Sequence, residues 1–149
     1  MNKQRHQNVP ASYLVLFQDD QVLLLRRHNT GYEDGNYSLV AGHVESGENF
    51  TDCVIREAKE EAGVIVHPDH LQVVHVMHRN SGKDEYSERV DVFFIATTWS
   101  GEPINKEPHK CDDVSWFHIK ELPDNTIPYI RQALEKIHTK HFYSEHGWI

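Results

Sequence analysis

The chain has 149 residues, with 15 lysines and arginines against 23 aspartates and glutamates, for a formal net charge of −8. That length suits one domain, and 38% hydrophobic content is too high for a disordered chain. The acidic balance leaves no basic footprint for nucleic acid and repels anionic membranes.

Two cysteines without short spacing, Cys53 and Cys111, suit neither a disulfide framework nor a zinc knuckle. The twelve histidines are scattered, with no HExxH-like ligand pair, and are expected on or near the surface. The N-terminal MNKQRHQNVP is polar rather than signal-like, and no apolar run is long enough to span a bilayer. These features lead us to expect a cytoplasmic protein, read as a single domain over 1–149 with a loose polar arm over 1–10 and a C-terminal tail over 139–149.

In chain order, SYLVLF at 12–17 is rich in β-branched and aromatic residues and is predicted to be a strand. QDD at 18–20 is a turn, and QVLLLRRH at 21–28 is a second strand, so 12–28 is predicted to be a hairpin. NTGYEDGN at 29–36 is a loop of turn formers. A short strand over 37–41 delivers Gly42, and a helix follows over 50–62. Strands are expected at 71–79 and 89–99, joined by a polar turn, and another at 114–119 after a loop over 100–113. Ile127, Ile130, Leu134 and Ile137 recur at steps of three and four, which predicts a second helix over 123–138. The aromatic end, HFYSEHGWI, reads as a packed tail or a partner surface.

The chemistry concentrates in the first helix. Glu57, Glu60 and Glu61 are spaced three and four apart, which places three carboxylates on one face. Ile55, Ala58 and Ala62 are expected on the opposite, packing face. Asn49 or Thr51 can cap the helix start, and Gly63 can end it in the left-handed conformation. Like charges at these spacings repel by roughly 0.2–0.5 kcal/mol per pair. Such a cluster is either a solvated face or a site for hard divalent cations, which take oxygen ligands.

The stretch 42–64, GHVESGENFTDCVIREAKEEAGV, resembles the Nudix box. That motif is a glycine, five residues, a glutamate, seven residues, Arg-Glu, an apolar residue, any residue, Glu-Glu, any residue, a glycine and an apolar residue. Gly42, Glu48, Arg56, Glu57, Ala58, Glu60, Glu61, Gly63 and Val64 match every fixed position. The resemblance implies an α/β fold, the Nudix-type α/β/α sandwich with a curved mixed β-sheet between helices. It also implies hydrolysis of a nucleoside diphosphate linked to another group X, with Mg²⁺ as cofactor and Mn²⁺ as the alternative.

Under that resemblance Glu57, Glu60, Glu61 and the Ala41 carbonyl are metal ligands. Glu57 or Glu60 acts on the attacking water, Arg56 holds the carboxylates and Glu48 supports them. The loop around Glu107 resembles that of MutT-type members, in which a distal glutamate completes the metal site; Glu102 is its rival. Arg26 or Arg27, Arg89 and His43 are candidate substrate contacts. His43 departs from the lysine common at its position, and Ala41 stands where MutT-type members have glycine. Asp112, Asp113, Trp116 and Phe117 fall where some purine-reading members contact the base, although the two aromatics also suit a core strand.

The favoured substrate is a nucleoside triphosphate, oxidised or not, cleaved to monophosphate and pyrophosphate. The alternatives are a nucleotide sugar such as ADP-ribose, and a non-catalytic nucleotide-binding regulatory module. The expected partner is a small-molecule nucleotide, without nucleic acid or membrane, for a monomer or homodimer.

Overall fold

The structure, a computed structural model, describes residues 3–82 and 87–149. The expected polar turn between the two long strands falls partly outside the described residues.

Nine strands form two sheets. In the first, β1 (Val9–Val15) lies between β5 (Val40–His43) and β7 (Glu88–Ala96), and β6 (Leu71–Asn80) and β9 (Tyr143–His146) complete the order β5-β1-β7-β6-β9. The sheet is mixed: β1 runs parallel to β7 and antiparallel to β5, while β9 runs parallel to β6. In the second, β3 (Gln21–Arg27) pairs with β2 (Phe17–Gln18), β4 (Tyr37–Ser38) and β8 (Cys111–His118).

The predicted hairpin over 12–28 is corrected here. The chain does turn at Asp19, whose φ is 56°, but only Phe17 and Gln18 pair with β3. Residues 9–15 instead enter the other sheet, where β7 and β5 satisfy their backbone. Local sequence proximity lost to two long-range partners.

Side-chain alternation then builds two cores. Tyr13 and Val15 of β1 and Val22 and Leu24 of β3 face one cluster with Ile130, Ala133 and Leu134 of α2 (Pro128–His138). Leu14, Leu16, Leu23 and Leu25 face the other, with Val54, Ala58 and Ala62 of α1 (Phe50–Ala62). Strands buried on both faces read as unbroken apolar runs, which is why LVLF and VLLL show no polar alternation. The result is the expected α/β/α sandwich.

Helix α2 starts later than predicted. Pro128 takes its first turn, where the absent N–H costs nothing. The preceding segment is committed elsewhere: Tyr37 N–H donates to Asn125 O and Ile127 N–H to Tyr37 O. The tail is a strand rather than a loose end. Trp148 Nε1 donates to His78 O at 2.9 Å, and His75 bridges to His141 O (2.8 Å) and Ser144 Oγ (2.7 Å).

Candidate active site

Helix α1 is capped by Asn49, whose side chain accepts from Asp52 N at 2.7 Å, and ends at Gly63 with φ 67°. Its buried residues are Cys53, Val54, Ala58 and Ala62. Ile55 is half-buried, so the expected packing stripe is corrected by a rotation toward Cys53 and Val54. The carboxylate face therefore borders the packed face instead of opposing it. Glu57 and Glu61 are drawn toward the sheet, while Glu60 stays outside.

The consequence is a graded set of acids. The side chain of Glu57 is 14% exposed and that of Glu60 51%. Glu61 accepts from the Ala41 N–H at 2.9 Å. Burial, followed by the nearby Glu57 charge, pushes the Glu61 carboxyl well above its ordinary range, and burial also raises that of Glu57. Gly42 explains its own identity, since a Cβ there would collide with the Glu57 side chain.

Arg56 organises the neighbours. It donates from Nε to Glu48 Oε2 (2.8 Å), from Nη2 to Glu48 Oε1 (3.0 Å), and from Nη1 to Glu57 Oε1 (2.6 Å) and Glu60 Oε2 (3.3 Å). The paired contact with Arg56 holds the Glu48 carboxyl down at about 2.

Glu107 reaches the same cleft from another element. Its loop is pinned to the end of α1, where Ile104 N–H donates to Ala62 O and Lys106 N–H to Glu61 O. Asn105 Oδ1 accepts from Glu107 N at 3.1 Å, and Asn105 Nδ2 donates to Cys111 O at 2.7 Å. Glu102 is exposed and lies outside the cleft lining.

The cleft has a volume of about 610 Å³. Glu57, Glu60, Glu61 and Glu107 line it, with Ala41 and His43 from β5 and Arg26 and Arg27 from β3. A second cavity of about 400 Å³ adjoins it, and Arg27, Ala41, Gly42 and His43 line both. Arg89 lines only the second.

The acids supply an all-oxygen donor set with surplus negative charge, which suits a hard divalent cation. Among the described residues no three acidic, histidine or cysteine side chains converge into a ready cage. That openness fits a cation that keeps waters and shares phosphate oxygens.

A model of the NUDIX domain matches residues 7–137. The chain belongs to the Nudix hydrolase family. Among curated relatives, it is 34% identical over 114 residues to an NAD-capped RNA hydrolase NudC of Stutzerimonas stutzeri, covering 76% of this chain and 38% of that protein. A NudC of Photobacterium profundum is 33% identical over 116 residues, covering 76% and 39%. The chain thus spans about two-fifths of the length of these relatives. Among solved structures, a MutT Nudix hydrolase from Burkholderia pseudomallei superposes with a TM-score of 0.76 at 27% identity, covering 87% of this chain and 97% of that one.

The structure brings Arg26 and Arg27 alike to the cleft. Both border the Nudix cleft, but a register shift between them sends them apart. Arg26 pairs with Asp112 at 2.7 Å and lies over the Tyr37 ring. Arg27 turns inward, donating from Nε to Tyr32 O (2.6 Å) and from Nη2 to Thr30 Oγ1 (3.1 Å). Asp112 and Asp113 do not line either cavity; Asp113 accepts from Tyr37 O–H and Ser115. Trp116 and Phe117 pack against the two cores.

Sequence reasoning missed Lys110 at the cleft and Arg79, Tyr13 and Tyr129 at the second cavity. Arg79 sits in a β-strand with no motif around it. Its one signal was an arginine two residues from Met77 in a strand, on the face that the structure buries.

Proposed function

We infer that this protein hydrolyses the diphosphate bridge of a nucleoside diphosphate linked to a group X, with Mg²⁺ as cofactor and Mn²⁺ able to replace it. The observation that carries the reading is the convergence of Glu57, Glu60, Glu61 and Glu107 on one cleft from two separate elements. Those four glutamates and the Ala41 carbonyl would hold the cation, which would supply neutralising charge for the diphosphate and acidity for the attacking water.

The chain's own residues do the rest. Glu57, half-buried with a raised pKa, orients the water and takes its proton. Glu60, at the solvent edge, completes the acidic wall. Arg56 fixes Glu57 and Glu60, and Glu48 fixes Arg56, so the acids keep their geometry when a ligand enters. Arg27 and Arg26 border the diphosphate. Desolvation and then the Arg89 charge lower the His43 pKa, so this position favours a hydrogen bond over the full charge of a lysine.

Two identities of X have support. A nucleoside triphosphate follows from the MutT-like placement of Glu107. A dinucleotide is suggested by the NudC relatives, which are NAD-capped RNA hydrolases; a nucleotide end of RNA is then a substrate to include beside small molecules. The test is a panel of nucleoside triphosphates, oxidised triphosphates, ADP-ribose, dinucleotides and NAD-capped RNA, assayed for kcat/KM with Mg²⁺ and with EDTA. Turnover is expected with Mg²⁺ and not with EDTA. Chelator-resistant turnover overturns the metal reading, and binding without turnover of any member supports a regulatory module instead.

A further inference from the structure

The two adjoining cavities have opposite chemistry. Five glutamates line the first, whereas among the described residues no carboxylate lines the second, which is lined by Arg79, Arg89, Ser81 and tyrosines. Arg79 is already satisfied. Its Nε donates to Asp91 Oδ2 at 2.8 Å, its guanidinium stacks 3.7 Å over the Tyr129 ring, and Asp91 lies fully buried behind it. Arg27 is spent on Tyr32 O and Thr30 Oγ1.

Arg89 is different. It is half-buried, and among the described residues it makes no ion pair or hydrogen bond. It lies directly across from Arg79 in the β6–β7 ladder. Like charges at that position repel, and Asp91, whose charge acts on both, is hydrogen-bonded to Arg79 and not to Arg89. Ser81, in the same lining, has an Oγ that is buried and, among the described residues, without a hydrogen-bond partner. An unpaired guanidinium and an unused hydroxyl on one wall ask for a charged acceptor.

We propose that the second cavity binds a phosphate monoester carried by the group X, with Arg89 as its ion-pair partner and Ser81 as a hydrogen-bond donor. The idea that this phosphate belongs to the substrate rests on reading the first cavity as the diphosphate site. The shared wall of Arg27, Ala41, Gly42 and His43 makes the two sites continuous. Among diphosphate substrates, those whose X ends in a phosphate are then preferred over those whose X is neutral.

The test is binding in EDTA, without turnover. Calorimetric titration of the full chain with ribose 5-phosphate, ribose and guanosine is expected to show saturable binding of the phosphate ester at least tenfold tighter than the other two. Arg89→Gln weakens ribose 5-phosphate at least tenfold and leaves ribose unchanged, while Lys120→Gln, outside both cavities, leaves both unchanged and Arg26→Gln reports on the first cavity. Ser81→Ala is the second variant, with a smaller loss, in case Arg89→Gln does not fold. Equal binding of ribose and its phosphate overturns the proposal. So does Arg89-dependent binding of guanosine, which would make the cavity a base-edge reader, or an affinity that follows Arg26 instead of Arg89. Mg²⁺-dependent hydrolysis that persists beside any of those results leaves the hydrolase reading intact, and binding as expected without hydrolysis overturns that reading alone.

Discussion

Glu48 and Glu61 are both glutamates of one motif, and their surroundings drive them in opposite directions. Arg56 depresses Glu48 to about 2, so the pair stabilises the fold above the unfolded carboxyl pKa of about 4.3 and loses that contribution as pH falls toward about 2. Glu61 is raised by burial and by Glu57. Its charge therefore burdens the fold at neutral pH, and stability recovers as pH falls through its folded pKa. In metal-free buffer Glu61→Gln should raise Tm at pH 7, because glutamine can still accept from Ala41 N–H, and the gain should shrink on acidification. Glu48→Gln should lower Tm at pH 7 and converge with wild type between about pH 4 and pH 2. Thermal melts across pH check both, and a lower Tm for Glu61→Gln at pH 7 refutes the sign. With Mg²⁺, Glu57→Gln and Glu61→Gln should each lose about 10²–10⁴ in kcat, the range for removing an acid–base or charge-stabilising group.

At the scale of elements, two segments outside the motif decide whether the site is complete. The Glu107 loop is clamped to the α1 end by backbone bonds from Ile104 and Lys106, so its carboxylate is in place before substrate arrives. Glu107→Gln should lower kcat and raise the Mg²⁺ concentration for half-maximal rate, with stability within about 0.5 kcal/mol of wild type; Glu102→Gln should do neither. A damaging Glu102→Gln beside a silent Glu107→Gln would misplace the metal-completing glutamate. The C-terminal strand β9 holds the far end of β6. Gly147 has φ 84°, and a Cβ there would run into the Asn80 carbonyl. Gly147→Ala should cost about 1–3 kcal/mol, read from denaturant melts, since it adds a left-handed strain to a backbone collision. A neutral effect would mean that β9 does not depend on that close approach.

At the scale of the molecule, a chain of net charge −8 packs several of its carboxylates around one cleft. A cation that binds the folded state stabilises it by mass action. Wild-type Tm should therefore rise with Mg²⁺ in the absence of any nucleotide, and the rise should shrink in Glu57→Gln and Glu61→Gln. An undiminished rise in both variants would place the stabilising cation elsewhere. Among the described residues no helix is long and apolar enough to cross a membrane.

What the sequence alone determined was whatever depends on local spacing. The box residues 42–64 specified the helix, its Gly63 end and the carboxylate face, and narrowed the cap to Asn49 or Thr51, because helical period and capping are properties of neighbours. Most strand positions followed from apolar runs for the same reason. Tertiary structure alone decided which strands pair: 9–15 left its neighbour for β5 and β7, since partners distant in sequence hydrogen-bonded both its edges. It also decided the rotation of α1 toward Cys53 and Val54, the turning apart of Arg26 and Arg27 at a register shift, and the cavity around Arg79 and Arg89. None of these is a property of a short window. Each depends on which surfaces meet after the chain has folded.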